Sequence, residues 1–187
     1  MKSVSAKTLA LCGLFAALCA VGAFLRIPVP YVPFTLQTMF VTMAGLLLGP
    51  KLGAASAGAY VLLGLLGLPI FTQGGGPAYV LQPTFGYLLG FILSAWLVGF
   101  LGRRAETLGK LYAAALWGLL PVYGLGLIYL YCVMAFYLQT PMELGNLLVT
   151  GFLLTLPGDV ITLLLSALLC ARLRPALRRM GLLPSAV

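Results

Sequence analysis

The chain has 187 residues, 62% of them hydrophobic and only 7% charged, with a mean hydropathy of +1.11. A soluble domain carries roughly 25% charged residues, so this chain cannot cover a water-facing surface and reads as an integral membrane protein. The net charge is +8, but the basic residues punctuate apolar runs instead of clustering on one solvated face, which argues against a nucleic-acid partner. The absence of histidine excludes His-based triads, His metal sites and His proton shuttles. Cys12, Cys19, Cys132 and Cys170 form no C-x-x-C pair and sit in apolar stretches, so neither a metal nor a redox centre is expected. No G-x-x-x-x-G-K-[ST] pattern occurs, since Gly49-Pro50-Lys51 and Gly109-Lys110 lack the required neighbours.

A membrane-crossing helix needs about 20 apolar residues. Residues 8–25 carry no charge and end at Arg26, Pro28, Pro30 and Pro33, which gives a first span. This run is long, closed by proline and followed by further spans, unlike a signal peptide. A second, short span covers residues 35–48 and stops at Gly49-Pro50-Lys51; a third covers 52–67 and stops at Pro69. The segment 69–83, with Gly74-Gly75-Gly76-Pro77, cannot continue a helix. A fourth span covers 84–101, closed by Arg103-Arg104, and a fifth 111–138, with a bend expected near Gly118 and Pro121. Two readings fit the remainder: Pro157-Gly158-Asp159 interrupts one helix over 146–171, or Pro157 sits in the first turn of a sixth helix over 156–174. The second gives a normal span length and is favoured, leaving 142–155 as a short helix at or dipping into the membrane. The expected architecture is therefore an all-α membrane protein of six transmembrane helices, one domain over residues 1–187.

Six spans place both termini on one side. With this parity ten of the eleven basic residues share that side: Lys2, Lys7, Lys51, Arg103, Arg104, Lys110, Arg172, Arg174, Arg178 and Arg179, against Arg26 alone on the other. By the positive-inside rule both termini are cytoplasmic. The loops 26–34 and 69–83 are then external and flank the two short spans, forming a basin open to the outside, an extracellular-side ligand pocket.

The sequence holds only three acids. Glu106 and Glu143 fall in loops and read as solvated charges. Asp159 lies in an apolar segment with no basic partner in any span. A carboxylate at a helix centre costs about 2.5–3.5 kcal/mol, more than the 0.3–1 kcal/mol or so that a helix N-terminus returns, so a functional role is favoured. Thr155, Asp159, Thr162 and Ser166 share one helix face and form a polar stripe facing the bundle interior; for Ser166 alone, an interhelical hydrogen bond suffices. Tyr31, Phe34, Phe71, Tyr79, Phe85 and Tyr87 gather near the same side. Interface belts account for most such aromatics. Gln37 and Gln82 each stand at or near the start of an apolar helix. A cavity with aromatic walls and a few convergent polar groups suits a small, mostly apolar ligand. Small residues recur at Gly13/Ala17, Ala16/Ala20, Gly45/Gly49/Gly53 and Gly86/Gly90, a spacing that lets helices approach closely.

The run Pro30-Tyr31-Val32-Pro33-Phe34-Thr35-Leu36-Gln37-Thr38 resembles the first-loop signature of the BioY family, the biotin-binding S components of energy-coupling-factor (ECF) vitamin transporters. Ala44-Gly45-Leu46-Leu47-Leu48-Gly49-Pro50-Lys51-Leu52-Gly53-Ala54 is similar to that family's turn between helices two and three. Gly64-Leu65-Leu66-Gly67-Leu68-Pro69-Ile70-Phe71, Gly86-Tyr87-Leu88-Leu89-Gly90-Phe91 and Pro157-Gly158-Asp159 match as well. The resemblance implies a six-helix subunit that captures biotin outside and docks on a transmembrane T protein driven by two ATPases. It implies no enzymatic activity and no cofactor, and it places the ureido-binding aspartate at Asp159 and the partner-docking small pair at Ala16 and Ala20. It further implies a substrate site shared by Asp159, Thr162, Gln37, Phe34, Tyr87 and the glycine-rich loop at Gly75. Thr162 stands where the family usually has lysine, and Gly74-Gly75-Gly76 where its loop can carry a polar residue, which leaves a related ligand open. Two readings from other classes compete: a stand-alone proton-coupled vitamin transporter working through Asp159, and a lipid-modifying membrane enzyme. The latter lacks an acid/base pair or a metal set.

Overall fold

In the computed structural model, which describes residues 6–182, the described residues form six helical runs. Helix α1 is Ala6–Phe24, and the chain then forms a two-residue ladder, β1 (Arg26–Ile27) against β2 (Phe34–Thr35), with Arg26 opposite Thr35. Helices α2 (Gln37–Leu48) and α3 (Pro50–Leu65) are joined by Gly49 alone. Its φ of +82 suits a residue without Cβ, and Pro50, at the start of α3, gives up only an N–H that would have no helical partner. The two helices meet at glycines: a Cβ on Gly53 would lie 2.8 Å from the Gly45 Cα. A short 3₁₀ turn, Pro77–Leu81, precedes α4 (Phe85–Gly102).

Helices α5 (Leu108–Trp117) and α6 (Leu119–Cys132) form one run broken at Gly118, close to the expected bend, with Pro121 in the first turn of α6. This run ends in a π turn, Val133–Tyr137. Residues 142–155 do not make a separate surface helix. Helix α7 (Leu144–Leu148) passes through a second π turn, Val149–Leu153, into α8 (Leu156–Arg179), so the apolar run is Leu144–Arg179. Pro157 does fall in the first turn of α8, but the helix continues past residue 174 and through Pro175.

Four of these runs are long and apolar enough to cross a membrane: Ala6–Phe24, Phe85–Gly102, Leu108–Tyr137 and Leu144–Arg179. With 12 and 16 residues, α2 and α3 fall short of the ~20 that a span needs. Helix α4 is central, packed on α2, α3, α5 and α6, while α8 covers α2 and α5. Two apolar clusters result. One, with Tyr60, Phe71, Phe91 and Tyr123, lies toward the loops 25–36 and 66–84; the other, with Phe15, Leu46, Val98, Leu111 and Cys170, lies at the opposite end. There the Arg174 guanidinium donates to the carbonyls of Leu46 (2.6 Å), Ala105 (2.8 Å) and Gly102 (3.0 Å), tying α8 to the C-terminal ends of α2 and α4. Lys7, Lys51, Arg103, Arg104 and the basic residues of α8 all belong to this end. Lys2 lies outside the described residues.

Candidate functional site

A small cavity of about 50 Å³ lies beneath the first loop, walled by that loop, α2, α4, α6 and the start of α8. Its chemistry begins with Asp159. The residue sits in the first turn of α8, where a negative charge complements the helix dipole, and is 6% exposed. The Tyr123 hydroxyl donates to Asp159 Oδ2 at 2.5 Å, and the Thr38 hydroxyl binds the same carboxyl. Thr155 Oγ1 lies 3.0 Å from the Tyr123 oxygen and 3.2 Å from the Phe152 carbonyl. A carboxylate offers about four lone-pair sites, so two partners leave it able to accept further N–H groups from the cavity. Among the described residues, no basic one lines the cavity.

A second polar relay runs from the first loop to the loop after α3. Thr35 Oγ1 donates to Gln37 Oε1 (3.0 Å), Gln37 Nε2 donates to Tyr60 Oη (2.8 Å), and Tyr60 Oη donates to the Ile70 carbonyl (3.0 Å). This fixes the orientation of the Gln37 amide and satisfies a side chain only 3% exposed. A third group joins the hydroxyls of Thr72, Tyr79 and Thr84, with Tyr79 Oη 3.0 Å from Thr72 Oγ1 and 3.3 Å from Thr84 Oγ1.

The apolar walls are Val32, Pro33, Phe34, Leu88, Phe91 and Val122. Two aromatics reach their places because glycines make room. The Phe34 ring lies on Gly158, where a Cβ would stand 2.5 to 2.9 Å from it, and the Tyr87 ring lies on Gly126. The Tyr87 hydroxyl donates to the Gly151 carbonyl in the second π turn (2.8 Å), so Tyr87 serves as a wall.

Of the residues expected from sequence, Asp159, Gln37, Phe34 and Tyr87 all line this cavity. Thr162 does not. It lies one turn behind Asp159, and its hydroxyl donates to the Asp159 carbonyl (3.0 Å). Gly75 is also outside the lining: it is exposed and pressed against the backbone of Leu68 and Gly64, so the glycine-rich loop contributes Thr72 and Tyr79 instead. Gln82 ends the 3₁₀ turn without reaching the cavity. Ser166 makes the expected interhelical bond, to the Met39 carbonyl (3.2 Å). Ala16 is 4% exposed and Ala20 packs against the core, so this pair faces the bundle; on α1 the exposed small residues at the same spacing are Gly13 and Ala17.

Tyr123, Thr38 and Tyr60 did not stand out in the sequence. The available signal was a tyrosine far from both ends of an apolar run, whose hydroxyl must find a partner on another helix.

A helical bundle with four membrane-length runs and a cavity that pairs aromatic walls with one buried acid is a membrane protein built to hold a small molecule. The chain belongs to the BioY family, whose model matches residues 1–179. It is 43% identical over 180 residues to a probable biotin transporter BioY of Lysinibacillus sphaericus, covering 95% of this chain and 92% of that one. It is 40% identical over 163 residues to the biotin transporter BioY of Thermotoga maritima, covering 87% and 92% respectively. The fold matches a crystal structure of the S-component for biotin from an ECF-type ABC transporter with a TM-score of 0.78 and 32% identity, over 92% of this chain and 95% of that one.

Proposed function

We propose that this chain captures biotin as the substrate-binding S component of an ECF-type transporter in a prokaryotic cytoplasmic membrane, with no catalysis of its own. The observation that carries the reading is Asp159: a buried acceptor, held by Tyr123 and Thr38, that faces an aromatic-walled cavity without a cation. The ureido group of biotin supplies N–H donors for that carboxyl, and the fused rings supply an apolar body for Phe34, Tyr87 and Phe91. Gln37 adds an amide of fixed orientation. Thr162 supports Asp159 from behind, and Gly75 shapes the loop that carries Thr72 and Tyr79.

The basic end of the bundle faces the cytoplasm by the positive-inside rule, which puts both termini inside and the cavity outside. A transmembrane T protein and two ATPases supply the driving force, and the exposed Gly13/Ala17 face of α1 replaces Ala16/Ala20 as the docking surface.

The test is binding by the purified protein in mild detergent, without nucleotide or ion gradient, followed by uptake in vesicles with and without the T protein and ATPases. Biotin is expected to bind the lone protein, and accumulation is expected only with the energising subunits. Concentrative uptake by the lone protein, abolished by a proton uncoupler, would establish the proton-coupled alternative instead. Failure to bind biotin would overturn the reading.

A further inference from the structure

Among the described residues, Arg26 is the only basic one at the cavity end of the bundle. It stands at the rim, joined to the cavity walls from two directions. In the β1–β2 ladder it is paired with Thr35, and its guanidinium donates to the backbone carbonyl of Thr72; both threonines line the cavity. The side chain is exposed, and a guanidinium has five N–H donors, so the bond to Thr72 leaves most of the fork free. The other charges of this end are Asp159, inside the cavity, and Glu143, which lines a separate groove with Asn146 and Tyr31. The site is therefore polarised, with an acceptor at its depth and a cation at its mouth.

We infer that Arg26 anchors the carboxylate of an elongated acid whose N–H-bearing end is held by Asp159, making it the residue that selects the free acid over neutral derivatives. This rests on biotin being the ligand. With the ureido group at Asp159, the carboxylate at the end of the valerate chain must leave a cavity with no cation among its lining residues, and among the described residues the only cation at the rim is Arg26. A planar fork suits bidentate binding of a carboxylate, and a cation at the mouth also raises the local concentration of an anionic substrate.

The experiment compares binding of biotin and of its neutral carboxamide to the wild type, Arg26→Gln and Arg26→Lys in detergent. Glutamine retains a donor for the Thr72 carbonyl, and lysine retains the charge without the fork. The wild type is expected to prefer biotin over the amide by about tenfold, the usual order for a charge-assisted bond. Arg26→Gln removes that preference by weakening biotin while the amide binds as before; Arg26→Lys keeps part of it. Equal weakening of both ligands in Arg26→Gln would reduce Arg26 to a structural clasp between the loops, and an unchanged preference would remove it from recognition. A wild type that binds neither ligand overturns the biotin reading itself and this inference with it, whereas a wild type that binds both equally overturns the inference alone.

Discussion

At Asp159 the role of the charge and the role of the shape separate experimentally. Asp159→Asn keeps an amide oxygen for the Tyr123 hydroxyl but replaces one acceptor by a donor, so two N–H groups face each other when biotin enters. Affinity is expected to fall by about 1.5–3 kcal/mol, read by calorimetry, with thermal stability held or raised because a charge has left a membrane-embedded position. Tyr123→Phe does the reverse. It strips a donor from a buried carboxyl, which costs about 1–3 kcal/mol of stability, and it lowers affinity less than Asp159→Asn because the acceptor survives. If the two variants ranked in the opposite order for binding, Tyr123 rather than Asp159 would be the ligand's partner. Asp159, Gln37, Phe34 and Tyr87, which line the cavity, were legible in the sequence because rare polar groups and aromatics in or near the loops stand out in an apolar chain. Tyr123 was not: only the packing of α6 on α8 brings its hydroxyl to Asp159, 36 positions along the chain. Thr162 misled for the converse reason. It shares a helix face with Asp159, but a threonine in a helix readily bonds back to its own backbone, as here to the Asp159 carbonyl.

At the scale of elements, the first loop meets α8 where Phe34 rests on Gly158. Gly158→Ala puts a methyl into that contact and pushes the ring away from the cavity. Alanine also favours the helix by up to ~1 kcal/mol, so affinity is expected to fall while stability does not, a split that a simple folding defect cannot produce. Equal affinity would show that the Phe34 ring is dispensable. At the other end, Arg174 serves the carbonyls of Leu46 and Ala105 and shares that of Gly102 with the Ala105 N–H. Arg174→Ala is expected to lower the unfolding temperature in detergent, with a loss of about 2–3 kcal/mol, and to leave biotin affinity unchanged. A variant as stable as the wild type would show that water or lipid headgroups satisfy those carbonyls equally well. The same contacts explain why α8 outruns its expected end. Pro175 disfavours helix, but Arg174 on one side and Leu177, packed on the second apolar cluster, on the other hold the backbone in register. The short spans and the Gly49 turn were readable from composition and local chemistry. The π turns at Val133–Tyr137 and Val149–Leu153 carry no local signature, and the second is stabilised by a tyrosine from α4.

For the whole molecule, capture and transport make opposite demands on α1. One face closes the bundle over the site, and the proposed docking face must stay free for a partner. Ala16, together with Cys19 and Ala23, belongs to the closing face, whereas Ala10, Gly13 and Ala17 remain exposed. A Cβ on Gly13 would meet nothing within 4 Å, so larger residues there leave the bundle intact. Without a hydrophobic driving force between helices in lipid, close approach through small residues is what associates them. A Gly13→Leu/Ala17→Leu double variant is therefore expected to bind biotin as the wild type does but to lose uptake in cells that supply the T protein and ATPases. Ala16→Leu overpacks a core position, at a cost of about 1–3 kcal/mol, and is expected to lower thermal stability and binding together. Binding and uptake are measured on the same membranes, so expression cancels. Full uptake by the double variant would move the docking surface to another helix. Loss of uptake with intact binding and stability in Ala16→Leu would restore the Ala16/Ala20 face as the one that meets the partner.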